Sequence, residues 1–423
     1  MNVIITPNKL KGDCIIPPSK SLSHRAIIAA SLAKGRSKIS NVLYSKDILA
    51  TIDAMSACGA KIEKYDNYLI IEGSGKVKRI KSEIDCNESG STVRFMIPIA
   101  LTCNEEVTFI GHNNLTKRPL DPFLKIFDEQ NIKYEKGEDY LPLKVKDGIK
   151  GGIYNIRGDI SSQFITGLLY ALPLLKEDSI INITTELESK GYIDLTLDIL
   201  KLFNIIIENV DYKKFIIKGN QEYKPLDYEI EGDFSQSAFF LVADCLGADI
   251  NLKSMNMNSH QGDMKIIDDI KAFGFDVDYK NNILKAYENK NSHNAVIDFS
   301  QSPDLGPALT VLASLVKGKS EFINAQRLRI KECDRITCMK EEINKLGGNI
   351  EELDDGMIIN GVDFLNGGTV DSHNDHRVVM ALAMATLKMK GDLKILNAEA
   401  INKSFPHFFE MFESLGGIVR YEN

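Results

Sequence analysis

From Ile52 to Gly73 the chain switches between two periodicities. Apolar positions at helical spacing run up to a break at Gly59, and Lys61-Ile62-Glu63 then alternates polar and apolar, as a strand with one wet face does. A polar turn, Tyr65-Asp66-Asn67, separates it from a second strand, Tyr68 to Gly73. The same order of helix, break, strand, turn and strand returns at Asn131 (second strand Leu141 to Val145), Asn204 (Phe215 to Gly219), Gly274, Gly347 (Met357 to Gly361) and Gly416. Successive breaks lie 69 to 73 residues apart, which is too regular for accident. Gly or Asn at the break has a mechanical reason. Both tolerate the left-handed backbone that ends a helix and turns the chain into a strand.

A chain of 423 residues is too long for one hydrophobic core, since single cores stop growing at roughly 250–300 residues. Six units therefore predict two similar α/β domains of three repeats each. The break falls around Asn220 to Glu229, where Pro225 and polar residues cluster. With a first strand near Met1 to Ile5 completing the later half, the expected lobes are 12–226 and 1–11 plus 227–423. Crossings near Lys11 to Pro18 and near Tyr223 to Asp227 make a two-strand hinge, which favours open and closed states.

Composition narrows the function. Hydrophobic residues are 43% and charged ones 26%, an ordinary globular balance, and 12 Pro with 30 Gly exclude collagen-like or linker-dominated chains. A net charge of −8 argues against coating nucleic acid, but a small anionic substrate needs only a local cluster of cations. The longest apolar runs, such as Ile165 to Leu175, fall short of the ~18–20 residues of a membrane span. Met1 to Pro7 shows no charged leader ahead of an apolar stretch. The 7 cysteines are scattered with no Cys-x-x-Cys pair, against a disulfide framework or structural zinc. A cytoplasmic protein with reduced thiols is expected.

Candidate chemistry lies where helices begin. Pro17-Pro18-Ser19-Lys20-Ser21-Leu22-Ser23-His24-Arg25 leads into the apolar run Ala26 to Ala33, and backbone N–H groups beside Ser and Lys form an anion site. Ser89-Gly90-Ser91-Thr92-Val93-Arg94 allows close approach to the backbone without the Gly-Lys-Ser/Thr ending of a Walker loop. Lys117-Arg118-Pro119, Ser161-Ser162-Gln163 and Ser189-Lys190-Gly191-Tyr192 follow. In the later half, Arg327 to Arg335 packs six charges into nine residues, and Asp375-His376-Arg377 opens an apolar helix at which buried charge is costly unless paired. Lys403-Ser404-Phe405-Pro406 opens the last helix, and Asp304 is a lone carboxylate before Ala308 to Val316. His373 and His376 without a matching Cys or carboxylate set are poor metal-ligand grammar. A solvated charge run and ordinary Ser caps are the bland alternative for each segment taken alone. Together they point to a cleft for one or two strongly anionic small molecules.

In this order, and with the sixfold repeat, these motifs resemble the 5-enolpyruvylshikimate 3-phosphate synthase family from Lys11 to Gly417. The resemblance implies an inside-out α/β barrel architecture: two domains, each of three helix-plus-four-stranded-sheet units, helices inside and sheets outside, with the active site in the interdomain cleft. It implies transfer of the enolpyruvyl group of phosphoenolpyruvate to the 5-hydroxyl of shikimate 3-phosphate by addition and elimination. No metal or organic cofactor, no nucleic acid and no membrane are implied, and a monomer sensitive to glyphosate is expected. By motif position, Ser161, Ser162 and Ser189 with Lys331 would hold the shikimate phosphate, Ser21 and Arg25 its carboxylate, and Tyr192 would line that pocket. Lys20, Gly90, Arg118, Gln163, Arg335, Arg377 and Lys403 would surround phosphoenolpyruvate, with Lys20, Gln163 and Asp304 also on the shikimate side and Arg94 and His376 in support. Glu332 would exchange the methylene proton, Asp304 would take the hydroxyl proton, and Lys20 would serve the leaving phosphate.

The glycine loop departs from the family at Glu88, where many relatives have Asn, and at Ser91, where Thr is usual. Two other readings remain. UDP-N-acetylglucosamine enolpyruvyl transferases share the repeat but carry a Cys acid at the place of Asn113. A noncatalytic anion-binding relative would keep the helix starts without needing Lys20, Asp304 and Glu332.

Overall fold

The computed structural model describes residues 1–78 and 80–422. The chain divides into two compact units, Lys20–Ile230 and Met1–Ser19 with Glu231–Asn423, and each holds three four-stranded sheets. One order recurs: strand, helix, parallel strand, helix, then a hairpin. In the second repeat, Glu83–Asp85 leads through the helix Gly90–Ala100 to Val107–Ile110, and the helix Asp121–Gln130 then leads to Tyr134–Lys136 and Leu143–Val145. The helix between the two parallel strands is the crossover that parallel pairing requires.

The break positions do what the sequence asks of them. Gly59, Asn131, Asn204, Gly274, Gly347 and Gly416 all have positive φ, between 55° and 101°. At each, the next residue's N–H reaches back over the helix end to a carbonyl five residues earlier, as in Ala60 N to Met55 O (3.2 Å) and Ile132 N to Phe127 O (2.8 Å). This is the bond of a Schellman cap, and it satisfies a carbonyl that the helix leaves orphaned.

Strand pairing, not the polar stretch at Asn220 to Glu229, sets the boundaries. The units cross at 19/20 and 230/231 rather than at 11/12 and 226/227. Lys11–Ile15 pairs in parallel along its length with Asp249–Lys253, so it stays with the later unit. Tyr228–Glu229 pairs with Ile39 and Ser40, and so supplies the first strand of the earlier unit's first sheet. Asn2–Thr6 lies between Met389–Leu396 and Ile418–Glu422 and completes the sixth sheet.

In each unit the first helix of every repeat is interior. Lys20–Leu32, Gly90–Ala100 and Ser162–Ala171 are buried nearly all round, as are Phe234–Cys245, Gly306–Ser314 and His376–Ala385. Helices apolar on every side must be buried. The strands alternate buried and wetter positions, as Asn2–Thr6 does, so the sheets form the outer layer. Helix packing is close: a Cβ added at Gly167 would stand 2.4 Å from the Arg94 carbonyl oxygen.

Candidate active site

In Lys20–Ile230, five helices start side by side. Lys20, the first residue of its helix, donates to Asp47 in the first turn of Lys46–Ala57 (Nζ to Oδ2, 2.8 Å). Gln163 in the first turn of Ser162–Ala171 donates to Ser91 in the first turn of Gly90–Ala100 (2.8 Å) and accepts from Arg94 (2.9 Å). Arg25 donates to the carbonyl of Tyr192 (3.0 Å), in the first turn of Lys190–Leu202. The first N–H groups of a helix lack partners inside it, and at two of these starts a Ser side chain supplies one. Ser89 Oγ accepts from Thr92 N (3.1 Å) and Ser161 Oγ from Gln163 N (3.3 Å). Ser189 is buried in left-handed conformation just before Lys190.

Arg25 is deeply buried. It donates to Thr196 Oγ1 (2.9 Å), Ser21 O (2.8 Å) and Tyr192 O, and lies against the rings of Phe95 and Tyr192. Burial lowers its pKa, offset by the nearby tyrosines. Gly90 passes directly beneath the Arg118 guanidinium, since a Cβ there would meet Arg118 NH1 at 2.6 Å. A buried hydroxyl chain ties this end together: His24 Nδ1 to Thr51 Oγ1 (2.7 Å), Thr51 to Thr92 (2.7 Å), and Thr92 to Ser89 (2.8 Å). Burial, with Lys20 and Arg25 nearby, drives the His24 pKa well below its ordinary value, so the ring is neutral.

The later unit gathers its own cluster. Arg335, 1% exposed, opens the helix Arg335–Lys345 and donates to three carboxylates: Asp304 (2.9 Å), Glu332 (2.7 Å) and Asp375 (2.7 Å). Asp304 also meets Lys331 (3.1 Å) and Arg377 (3.2 Å). Asp375 caps the helix His376–Ala385 by accepting from Arg377 N (2.8 Å). Lys403 Nζ donates to the Asn374 carbonyl (2.8 Å), and Gln236 Nε2 donates to Ser404 Oγ (3.2 Å). Burial opposes ionisation of Asp304, but Arg377, Lys331 and Arg335 outweigh it and hold the carboxyl well below the usual range. Burial pulls Lys331 down to about 8 despite Asp304. Asp375, Asp304 and Glu332 together keep Arg335 charged.

Asp304, solitary along the chain, is therefore not solitary in space. The charge run Arg327 to Arg335 is not a solvated face either, because Arg327 and Arg335 are buried. Of the expected residues, Lys20, Ser21, Arg25, Gly90, Arg94, Arg118, Ser161, Ser162, Gln163, Ser189 and Tyr192 lie in one unit, and Asp304, Lys331, Glu332, Arg335, His376, Arg377 and Lys403 in the other. Sequence reasoning missed Asp47 and Thr196, which have no local signature. It quoted Asp375 without seeing it as the anchor of Arg335, although its place one residue before an apolar helix was a capping signal. Glu341, Glu342 and His373 form a grouping of metal-ligand type, but Lys345 Nζ sits 2.8 and 2.9 Å from the two Glu342 oxygens and already neutralises that carboxylate. No helix among the described residues is long and apolar enough to cross a membrane.

Six such repeats, with cations at the helix starts of both units, are the arrangement expected for an enolpyruvyl transferase from the resemblance of the motifs. The family profile of EPSP synthase (3-phosphoshikimate 1-carboxyvinyltransferase) matches residues 4–412. A 3-phosphoshikimate 1-carboxyvinyltransferase of Clostridium perfringens (strain 13 / Type A) is 51% identical over 421 residues, covering 99% of each chain. That of Clostridioides difficile (strain 630) is 49% identical over 426 residues, covering 98% of this chain and 97% of its own. The solved EPSP synthase of Acinetobacter baumannii superposes with a TM-score of 0.81 at 25% identity, covering 99% of this chain and 100% of that one. The chain belongs to the EPSP synthase family. Its reaction moves the enolpyruvyl group of phosphoenolpyruvate to the 5-hydroxyl of shikimate 3-phosphate and releases phosphate, a step of the shikimate pathway to aromatic amino acids.

Proposed function

We propose that both clusters act on one pair of substrates, with the residue roles given by motif position. Ser161, Ser162, Ser189 and Lys331 hold the shikimate phosphate, and Ser21, Arg25 and Tyr192 its carboxylate side. Lys20, Gly90, Arg118, Gln163, Arg335, Arg377 and Lys403 receive phosphoenolpyruvate. Glu332 gives a proton to the methylene carbon on addition and removes it on elimination, Asp304 takes the hydroxyl proton, and Lys20 serves the leaving phosphate. The observation that carries this reading is the set of ion pairs around Asp304 and Arg335, at 2.7–3.2 Å. It holds three cations at fixed positions in a low-dielectric setting, where each charge-assisted hydrogen bond to a substrate anion contributes about 1.5–3 kcal/mol.

The same pairs set the chemistry. While Lys331, Arg335 and Arg377 rest on Asp304, that carboxylate is a weak base. Substrate anions that draw these cations away raise its proton affinity at the moment a base is needed. A cytoplasmic, monomeric state belongs to the same proposal, and light scattering on the purified chain tests the monomer. The activity test is phosphate release with shikimate 3-phosphate or UDP-N-acetylglucosamine as acceptor. Release with the first alone is expected. Glu332→Gln should bind both substrates and turn over about 10²–10⁴-fold more slowly, and near-normal turnover would remove Glu332 from proton transfer.

A further inference from the structure

The buried hydroxyl chain under the helix starts of Lys20–Ile230 has a direction, and counting hydrogens fixes it. Each hydroxyl holds one hydrogen to donate. Thr92 spends its own on Ser89 Oγ (2.8 Å), and the Asp47 carbonyl, 3.5 Å away, is too far to compete. At its 2.7 Å contact with Thr51, Thr92 therefore accepts. Thr51 has then spent its hydrogen, so at its 2.7 Å contact with the imidazole it accepts from His24 Nδ1. Burial, with Lys20 and Arg25 nearby, keeps that ring neutral with a single hydrogen, which the chain places on Nδ1. Nε2 is left as a bare lone pair, and it is the ring nitrogen that is buried without a hydrogen-bond partner.

The chain lies one helical turn below groups of the candidate site. His24 follows Lys20 by four residues and Thr51 follows Asp47 by four, the spacing that stacks side chains on one face of a helix. His24 and Thr51 thus form a second rung beneath the Lys20–Asp47 pair (2.8 Å), and Thr92 carries it across to the helix Gly90–Ala100. There the chain ends on Ser89, whose Oγ also accepts from Thr92 N (3.1 Å), so both lone pairs of this cap oxygen are filled. The His24 ring meets Phe95 of the same helix edge-on, with centroids 6.3 Å apart. Placement matters at this start. A Cβ at Gly90 would stand 2.6 Å from Arg118 NH1, which leaves the backbone there little room to drift.

We propose that His24 is a positioning residue for enolpyruvyl transfer: its Nδ1–H, handed on through Thr51 and Thr92 to Ser89, sets the Gly90 helix start against Lys20 and Arg118. His24 touches no substrate and moves no proton. Without the Nδ1–H, Thr51 keeps an unfilled lone pair in a dry interior, and its hydroxyl is free to turn away from Thr92. The three helices then lose their common register, and a misplacement of about 1 Å at a reacting group costs about a hundredfold in rate. This role rests on the proposed receipt of phosphoenolpyruvate at Gly90. The shikimate phosphate is assigned to Ser161, Ser162 and Ser189 at other helix starts, so the KM for shikimate 3-phosphate should change less.

Two substitutions separate this role from packing. His24→Leu keeps an apolar side chain against Phe95 but has no N–H, whereas His24→Asn keeps an amide N–H near the Nδ1 position and loses volume. Packing alone would rank His24→Leu above His24→Asn in both unfolding temperature and rate. Positioning crosses the two orders. His24→Asn should unfold at lower temperature yet keep most of its kcat/KM for phosphoenolpyruvate, while His24→Leu loses about ten- to a hundredfold. Thr51→Val removes the middle hydroxyl and should match the loss in His24→Leu, and the double variant should be no slower than either single one. Should His24→Leu yield no folded chain, Thr51→Val decides.

The place of the ring hydrogen is read directly. Nitrogen NMR on the full chain with isotope-labelled histidine, the His24 signal being the one lost in His24→Asn, should show the hydrogen on Nδ1 and no titration across the pH range of activity. A hydrogen on Nε2, a titrating His24, His24→Asn losing phosphoenolpyruvate efficiency as fully as His24→Leu, or Thr51→Val at the parent rate would each overturn the proposal. Arg118→Gln, assayed alongside, tests the assignment of this start separately. If it leaves the KM for phosphoenolpyruvate untouched, that assignment fails, and the order of His24→Leu and His24→Asn in phosphate release still decides whether His24 positions the start.

Discussion

Replacing Gly90 by Ala tests the proposed assignment of Gly90 and Arg118 to phosphoenolpyruvate. The added methyl would stand 2.6 Å from Arg118 NH1, 2.7 Å from Cζ and 3.0 Å from NH2. Ordinary carbon contacts begin near ~3.5 Å, so the guanidinium must retreat by about 0.5–1 Å. The obstacle is the far end of a flexible side chain, and alanine is a better helix former than glycine by about 1 kcal/mol at most. The fold should therefore survive. On the proposed assignment Arg118 then loses its alignment with the substrate, at a cost of about 1.5–3 kcal/mol for one charge-assisted hydrogen bond. That corresponds to a rise of about ten- to 150-fold in KM for phosphoenolpyruvate, with kcat and the KM for shikimate 3-phosphate nearly unchanged. Initial rates of phosphate release against each substrate, beside thermal unfolding, measure this. Because the effect acts through Arg118, Gly90→Ala should add little in an Arg118→Gln background. An unchanged KM with an unchanged Tm would refute the reasoning, and so would full additivity in the double variant.

Lys331 sits at about 8, so its ammonium is present below that pH and lost above it; kcat/KM for shikimate 3-phosphate should fall as pH rises through that value. Lys331→Arg, which stays charged, should flatten the alkaline limb, and an identical profile would remove Lys331 from phosphate binding. Asp375→Asn removes a fully buried partner of Arg335 while Asp304 and Glu332 remain, so the lower end of the range for breaking a buried pair, about 3 kcal/mol, applies. Scanning calorimetry should show a fall of about 6–12 °C in the unfolding of that unit, and a shift within error would mean that the other carboxylates suffice. Glyphosate should inhibit in competition with phosphoenolpyruvate, and an unaffected rate at saturating glyphosate would contradict the reading of the Gly90 loop.

Much of the architecture is legible because one local event repeats. Each of the six breaks needs a left-handed residue, and only Gly and Asn meet that need cheaply, so the period is printed in the sequence. The candidate site is legible for a related reason: Ser, Lys, Arg and Gln gather where orphan N–H groups start an apolar helix. What the sequence hides is pairing at a distance. Asp47 neutralises Lys20 across two helix starts, and Asp304 meets Arg335 and Arg377 from segments 31 and 73 residues further along. The unit boundary is hidden likewise, because it follows from which strand Lys11–Ile15 pairs with and not from composition. In Arg327 to Arg335 local reasoning favours solvation, and the partners that bury the run lie outside it.

The resting ion pairs also decide how the proposed site can respond to its substrates. A buried cation without a counter-charge is costly, and here Asp47, Asp304, Glu332 and Asp375 supply that charge before any substrate arrives. Each substrate anion therefore exchanges with a carboxylate instead of adding to an empty site, and net affinity is smaller than the number of donors suggests. The exchange has a chemical product. A carboxylate relieved of Lys331 and Arg377 gains proton affinity, so binding energy is converted into basicity at Asp304. Asp375 does not take part in this exchange, since it is fully buried and committed to the Arg377 backbone N–H and to Arg335 Nε. It keeps Arg335 in place while Asp304 and Glu332 change partners, which is why its removal should be read in stability and theirs in rate.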